Sequence, residues 1–128
     1  MNVKDVSRAT GLPSKTLRYY EEVGLVAPAR ADNGYRVYSE TDVHKLAFVG
    51  RARSLGFSLD DCRALLSLYE DRSRASADVK ALAIDHVAQV DRKLAEMTMI
   101  KSELQRLVLA CHGDDRPDCP IMNGLAGD

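Results

Sequence analysis

Two cysteines near the end of the chain have the spacing that most directly suggests chemistry. Cys111 and Cys119 bracket the segment Cys-His-Gly-Asp-Asp-Arg-Pro-Asp-Cys, which follows a long helical stretch. The glycine, proline and aspartates of this segment favour a turn, and a turn can bring the two sulfurs together. Because deprotonated thiols prefer soft ions such as Cu(I), the segment predicts a soft-metal site.

The number of available ligands narrows the choice of ion. Structural zinc normally takes four Cys or His ligands, whereas a monovalent d10 ion can be held by two sulfurs. Two cysteines therefore favour Cu(I), Ag(I) or Au(I). His112 is a candidate third ligand, although a solvated loop histidine is the simpler interpretation. A reversible disulfide between Cys111 and Cys119, or two unrelated surface thiols, remain open alternatives.

Charge is unevenly distributed along the 128 residues, a length typical of one ordinary domain. Residues 1–56 contain nine Lys or Arg and six Asp or Glu, a net charge of +3, whereas residues 57–128 have a net charge of −4. The basic first half is compatible with phosphate contact. The N-terminal residues lack the apolar core of a secretory signal, and no apolar run approaches the ~18 residues of a membrane span. We therefore expect a cytoplasmic protein that does not enter a membrane.

The first residues predict a helix-turn-helix. A short helix beginning near Val3 is stopped by the segment Gly-Leu-Pro at 11–13, and Ser14 is a suitable N-cap for a second helix over 15–23. Gly24 suits the left-handed position that ends such a helix. The second helix offers phosphate donors and groups that can meet base edges, namely Lys15, Thr16, Arg18, Tyr19 and Tyr20. The alternative is that Leu17, Tyr20 and Val23 form its core face.

A β-hairpin is predicted directly after these helices. Asp32-Asn33-Gly34 is a two-residue hairpin turn signal, so residues 25–38 are interpreted as a small β-wing that includes Arg30 and Arg36. A basic hairpin after a basic helix is typical of a winged helix-turn-helix DNA-binding domain, in which the wing contacts the DNA backbone.

Three further helices are predicted from capping signals and apolar periodicity. Ser39 and Asp42 form a capping box for a helix that ends near Leu55 and carries Arg53, and Ser58 begins another that ends near Glu70. Cys62 lies on the apolar face of this last helix, so we interpret it as a buried small hydrophobe. From residue 77 to 110 neither Gly nor Pro occurs, and apolar steps of four and three favour a coiled coil between two copies of the chain. Its stripe consists of Ala83, Val87, Val90, Leu94, Met97, Lys101, Leu104 and Val108.

Three sequence runs in order resemble the MerR family of transcription regulators. They are Leu-Arg-Tyr-Tyr-Glu-Glu-Val-Gly-Leu-Val at 17–26, Asn-Gly-Tyr-Arg-Val-Tyr at 33–38 and Arg-Ser-Leu-Gly-Phe at 53–57. The segment 111–121 resembles the copper-responsive CueR/HmrR branch of that family. The resemblance covers almost the whole chain.

This resemblance implies a mechanism and assigns residues to it. Arg18 and Tyr19 would work in the major groove, while Tyr35, Arg36 and Arg53 would hold phosphates. The long helices would pair antiparallel in a homodimer, placing Ser76 beside the metal loop of the other subunit. Zinc-responsive relatives have a cysteine at the position of Ser76, so the serine favours copper. Metal binding would distort a palindromic operator and align the promoter for RNA polymerase, activating copper-efflux or detoxification genes.

The predicted fold is mainly α, in three parts. A winged helix-turn-helix DNA-binding domain with connecting helices occupies residues 1–70. A long antiparallel coiled-coil dimerisation helix spans 76–110, and a C-terminal metal-binding loop with a short terminal helix covers 111–128. A zinc- or thiol-redox-responsive regulator of the same family, or a copper-buffering protein, is the alternative function. An enzyme is not expected, because the chain lacks Cys-x-x-Cys, an ordered Ser-His-Asp set and a phosphate-binding glycine loop.

Overall fold

The computed structural model describes residues 1–127, and this part of the chain is mainly helical. In chain order its elements are α1 (Val3–Thr10), α2 (Ser14–Glu22), β1 (Ala29–Arg30), β2 (Arg36–Val37), α3 (Glu40–Ser54), α4 (Leu59–Glu70), α5 (Ser76–Ala110) and α6 (Pro120–Ala126). They form two compact units, Met1–Leu82 and a second that begins at Ala83. No helix within residues 1–127 is long and apolar enough to span a membrane.

Apolar faces of α1 to α4 form the core of the first unit, together with Leu25, Val26 and Tyr38, which lie on either side of the hairpin strands. Its largest fully buried side chains are Tyr38, Leu17, Leu46, Val6, Val49 and Cys62. The prediction that Cys62 is buried is confirmed, since none of its surface is exposed.

The predicted helix-turn-helix is confirmed, with one correction at the start of α2. Gly11 ends α1 in the left-handed conformation, at φ 74°, and Gly24 follows α2 at φ 80°. Ser14 is not the N-cap of α2. Pro13 has that position and Ser14 is the first helical residue, since the fixed φ of a proline suits the extended residue before a helix.

The predicted wing is present, but its turn is longer than the two residues expected. Ala31 N–H donates to Tyr35 O at 2.9 Å, and Gly34 N–H donates to Ala31 O at 2.9 Å. The loop therefore contains three residues, 32–34, and Gly34 supplies its left-handed position at φ 85°. The strands β1 and β2 pair at only two positions, Ala29 with Val37 and Arg30 with Arg36.

Helices α3 and α4 begin as predicted. Ser39 and Asp42 form a complete capping box at α3, and the Ser58 side chain accepts from Asp61 N–H at α4. An ion pair between Lys45 and Glu70, at 2.9 Å, joins the two helices.

The long helix α5 has 35 residues, which corresponds to about 52 Å. Most of the predicted apolar stripe is exposed in this single chain, including Val87, Leu94, Met97, Leu104 and Val108. The long helix is thus confirmed, whereas its antiparallel pairing with a second copy stays a prediction.

Candidate metal-binding loop and nucleic-acid interface

Cys111 lies at the end of α5. Its backbone N–H donates to the carbonyl oxygens of Leu107 and Val108, at 3.1 and 3.2 Å, so it continues the last helical turn. Its thiol is free and the residue is partly exposed. The sulfur is therefore fixed to a helix end and accessible to a ligand.

Cys119 lies at the start of α6, where it is the N-cap. Met122 N–H donates to Cys119 Sγ at 3.4 Å, and Pro120 occupies the first helical position, where a proline is favoured. A sulfur thus replaces the oxygen that usually caps a helix. Like Cys111, Cys119 has a free thiol and is partly exposed.

Helix α6 packs back against α5. A Cβ atom added to Gly124 would lie 3.4 Å from Leu107 Cδ1, and Leu107 is itself buried. Leu107 is one turn before Cys111, so this contact links the helix capped by Cys119 to the helix that ends before Cys111.

The loop between the cysteines is shaped by Asp114 and Arg116. Asp114 Oδ1 accepts Arg116 N–H at 2.9 Å, and its Oδ2 accepts from the Arg116 guanidinium at 2.8 and 3.0 Å. The hydrogen bond from the Arg116 side chain lowers the pKa of Asp114, so this carboxylate stays charged. The aspartate therefore forms the turn, as the sequence predicted, rather than serving as a free metal ligand.

Other sulfur and imidazole groups do not join the two loop cysteines in this chain. Within residues 1–127, no group of three or more His, Cys, Asp or Glu side chains could hold a metal ion together. His112 is exposed, Cys62 is buried in the first unit, and Ser76 is the exposed first residue of α5. The available donors are thus two thiols, a set that fits a soft two-coordinate ion.

The residues predicted to contact DNA fall into different environments along α2. Lys15, Arg18 and Tyr19 are exposed and Thr16 is partly exposed. Tyr20 is only 5% exposed and belongs to the core, because it faces the same side of α2 as Leu17. Its predicted role at DNA is therefore replaced by a packing role.

A groove of about 640 Å³, lined by both apolar and basic side chains, lies where α1, α2 and the wing meet. Among its lining residues are Lys4, Arg18, Arg30, Tyr35 and Arg36. Tyr35 is 74% exposed, the most exposed aromatic residue of the wing. Lys4 is not among the residues that the sequence pattern predicted to contact DNA. Its position is a usable signal of such a role, because a cation in the first turn of a helix opposes the helix dipole.

Two predicted phosphate contacts already have partners within the chain. Glu21 accepts from Arg36 Nε through Oε2 and from Arg30 Nη2, at 3.2 Å, through Oε1. The hydrogen bond that Arg36 donates to Glu21 raises the pKa of Arg36. Arg53 Nη1 donates to Phe57 O at 2.9 Å, so this arginine bonds to the turn between α3 and α4.

Comparisons with known proteins place the chain in a family. The family model "MerR HTH family regulatory protein" matches residues 1–68, and "MerR, DNA binding" matches residues 43–107. The chain is 56% identical over 126 residues to the HTH-type transcriptional regulator HmrR of Rhizobium leguminosarum bv. viciae, covering 98% of each chain. It is 43% identical to the HTH-type transcriptional regulator CueR of Salmonella typhimurium, covering 99% of this chain and 93% of that one.

A solved structure extends the similarity over the same length. The transcription regulator PbrR691 of Ralstonia metallidurans CH34, in complex with lead(II), is 32% identical, with a TM-score of 0.79 and 98% of both chains covered. These relatives are transcription regulators and not enzymes. The chain therefore belongs to the MerR family of helix-turn-helix transcription regulators, in the branch that includes HmrR and CueR.

Proposed function

We propose that this regulator binds promoter DNA as a homodimer and responds to Cu(I), and also to Ag(I) or Au(I), through Cys111 and Cys119. The observation that carries the proposal is the pair of free, partly exposed thiols, one directly after α5 and one capping α6, with no group of three or more His, Cys, Asp or Glu ligands among residues 1–127. Two thiolates fit a soft monovalent ion, whereas zinc and lead(II) call for more ligands.

The surroundings of the thiols support this choice of ion. The Met122 N–H directed at Cys119 Sγ suits a sulfur that is negatively charged as a metal ligand. Ser76, if it lies beside the site of the other subunit, has a hydroxyl and no thiol, so it would add no strong soft ligand. The metal itself would neutralise part of the thiolate charge and hold the two cysteines in one arrangement.

DNA would be contacted by α2 and the wing. Lys15, Thr16, Arg18 and Tyr19, which are at least partly exposed, would enter the major groove, where an arginine can bind guanine through two hydrogen bonds. Tyr35, Arg36 and Arg53 would contact the backbone, which fixes register without reading sequence. Tyr20 is left out of this set because it is buried.

A dimer would present this surface twice, so the operator would be palindromic. In the proposed mechanism the dimer occupies the promoter with and without metal, and metal binding changes the DNA shape so that RNA polymerase can use it. Smoothly bending a DNA site of roughly 20–30 base pairs costs about 1–6 kcal/mol, and a small change in the dimer can shift this balance. The regulator would act in the cytoplasm, where promoter DNA is located, on copper-efflux or detoxification genes.

The test is an anaerobic titration of the reduced protein with buffered Cu(I) and, separately, with Zn(II). We expect one tightly bound Cu(I) per subunit and weaker Zn(II). Cys119→Ser should lose Cu(I) binding by at least about a hundredfold, because one of only two soft ligands is removed. Since serine is a good N-cap, this variant keeps the cap of α6 and separates metal binding from helix stability.

Matched variants identify which part of the proposal has failed. Cys62→Ser removes a thiol outside the site and should keep Cu(I) affinity. Arg18→Ala should lose DNA affinity while keeping Cu(I) affinity. Tighter Zn(II) than Cu(I) would indicate a zinc sensor, and a reversible disulfide with no metal binding would indicate a redox sensor. Cu(I) binding without any DNA affinity would indicate a copper-buffering protein.

A further inference from the structure

Two arginines face each other across the short wing. Arg30 in β1 is paired in register with Arg36 in β2. Like charges directly opposite each other destabilise a β-hairpin. Something outside the hairpin must therefore offset their repulsion.

Glu21 of α2 supplies the compensating charge. Its carboxylate accepts from Arg36 Nε and from Arg30 Nη2, and its side chain is only 20% exposed. Arg30 also donates through Nη1 to Gly34 O at 3.1 Å, so the same guanidinium reaches the loop of the wing. One carboxylate thus connects α2, both strands and the loop.

The sheet is too short to fix the wing by itself. It has two residue pairs, and a small two-stranded hairpin is marginally stable in water. The connection through Glu21 therefore contributes directly to where the wing lies relative to α2.

We propose that Glu21 is a positioning residue that orders Arg30 and Arg36 for contact with DNA phosphates. This inference rests on the proposed DNA-binding function. Arg36 uses Nε for Glu21, and its terminal nitrogens remain as donors for phosphate. Both arginines line the same groove as Arg18, so ordering them also fixes the distance between backbone contacts and the base-reading helix.

A negative charge at a DNA-binding surface also has an unfavourable effect. It weakens binding to any duplex through repulsion of the phosphates. If Glu21 acts only as a charge, its removal strengthens all DNA binding equally. If it positions the arginines, its removal lowers the preference for the operator over other sequences.

The experiment compares Glu21→Gln with Glu22→Gln. Glu22 is the exposed neighbour, has no ion pair within residues 1–127, and loses the same charge. Affinity is measured for a duplex selected by the wild-type protein from a random library and for a scrambled duplex, at several salt concentrations. Glu21→Gln should lower the ratio of selected-duplex affinity to scrambled-duplex affinity about fivefold. This factor corresponds to the lower end of the free-energy cost of ordering two long side chains. Glu22→Gln should leave this ratio unchanged.

Two further measurements distinguish the positioning role of Glu21 from the effect of its negative charge. They also distinguish failure of this inference from failure of the proposed DNA-binding function. Glu21→Asp keeps the charge but is one methylene shorter, so it should also lower the ratio. Hydrogen exchange of the Ala31 amide, which bonds to Tyr35 O, should be faster in free Glu21→Gln than in free Glu22→Gln. Equal ratios and equal exchange in the two glutamine variants would overturn the inference. If the wild-type protein selects no duplex, the proposed function fails and the exchange measurement alone decides the role of Glu21.

Discussion

The three cysteine thiols differ in what surrounds them, and the difference predicts their reactivity. Cys62 is fully buried, its Sγ lies 3.9 Å from Phe57 O, and burial raises the pKa of its thiol. Cys111 and Cys119 are partly exposed at helix ends. Because the thiolate is the reactive form, Cys62 should be both inaccessible and protonated at neutral pH.

We therefore expect the thiols of Cys111 and Cys119 to react quickly with a thiol reagent in the reduced, metal-free native protein. The Cys62 thiol should react only after denaturation, and Cu(I) should protect Cys111 and Cys119. Counting the released chromophore against time checks this. Loss of a fast-reacting thiol in Cys62→Ala would contradict the assignment, whereas Cys119→Ala should lose one.

The sequence predicts the role of an individual residue correctly where one physical cause dominates. The capping box of Ser39 and Asp42 follows from local hydrogen bonding alone, and it is present as predicted. The position of Tyr20 is not decided by its residue type, because tyrosine suits both a core and a polar surface. The packing of α2 on its neighbours places Tyr20 in the core and not at the DNA-facing surface. Glu21 was not identified because its two arginine partners are distant in sequence and are brought to it by the hairpin.

At the scale of elements, the exposed stripe of α5 predicts a specific dependence of dimerisation on leucine side chains. Leu94 and Leu104 are 60% and 49% exposed in the single chain, and both line an apolar groove on α5. Burial of a leucine side chain stabilises an interface by about 1.5–3 kcal/mol. The double variant Leu94→Gln, Leu104→Gln should therefore weaken dimerisation by at least about a hundredfold.

Analytical ultracentrifugation over a range of protein concentrations measures this effect. The matched control is Ser102→Gln, which changes an exposed residue of the same helix outside the stripe. It should leave the dissociation constant unchanged. Equal dimerisation of the double variant and the wild type would mean that another surface joins the subunits.

The wing illustrates what an element's sequence pattern leaves undetermined. Asn33-Gly34 favours a two-residue hairpin turn, but Gly34 can also supply the left-handed residue of a three-residue loop. The two possibilities differ by one residue in loop length, and the local sequence pattern does not choose between them. Helix positions were predicted more closely because their caps and apolar periods are local signals.

At the scale of the whole molecule, the residues proposed to hold metal and those proposed to contact DNA belong to different units. Cys111 and Cys119 lie in the unit that begins at Ala83, whereas α2 and the wing lie in Met1–Leu82. The charge is also uneven along the chain, net +3 in residues 1–56 and net −4 in residues 57–128, although this division does not coincide with the boundary between the units. We therefore expect a metal ion at the cysteines to act on DNA through the dimer.

This separation predicts that Cu(I) changes the shape of bound DNA more than it changes occupancy. The number of phosphate contacts is set by the first unit, so operator affinity at fixed salt should change by less than about tenfold, within the usual range of coupling between sites. The bend should nevertheless change, because bending energies of about 1–6 kcal/mol are within reach of a rearranged dimer. Fluorescence anisotropy measures the affinity, and energy transfer between dyes at the duplex ends measures the bend. In Cys119→Ser neither quantity should respond to Cu(I), whereas release of the wild-type protein from its operator by Cu(I) would show that metal controls occupancy instead.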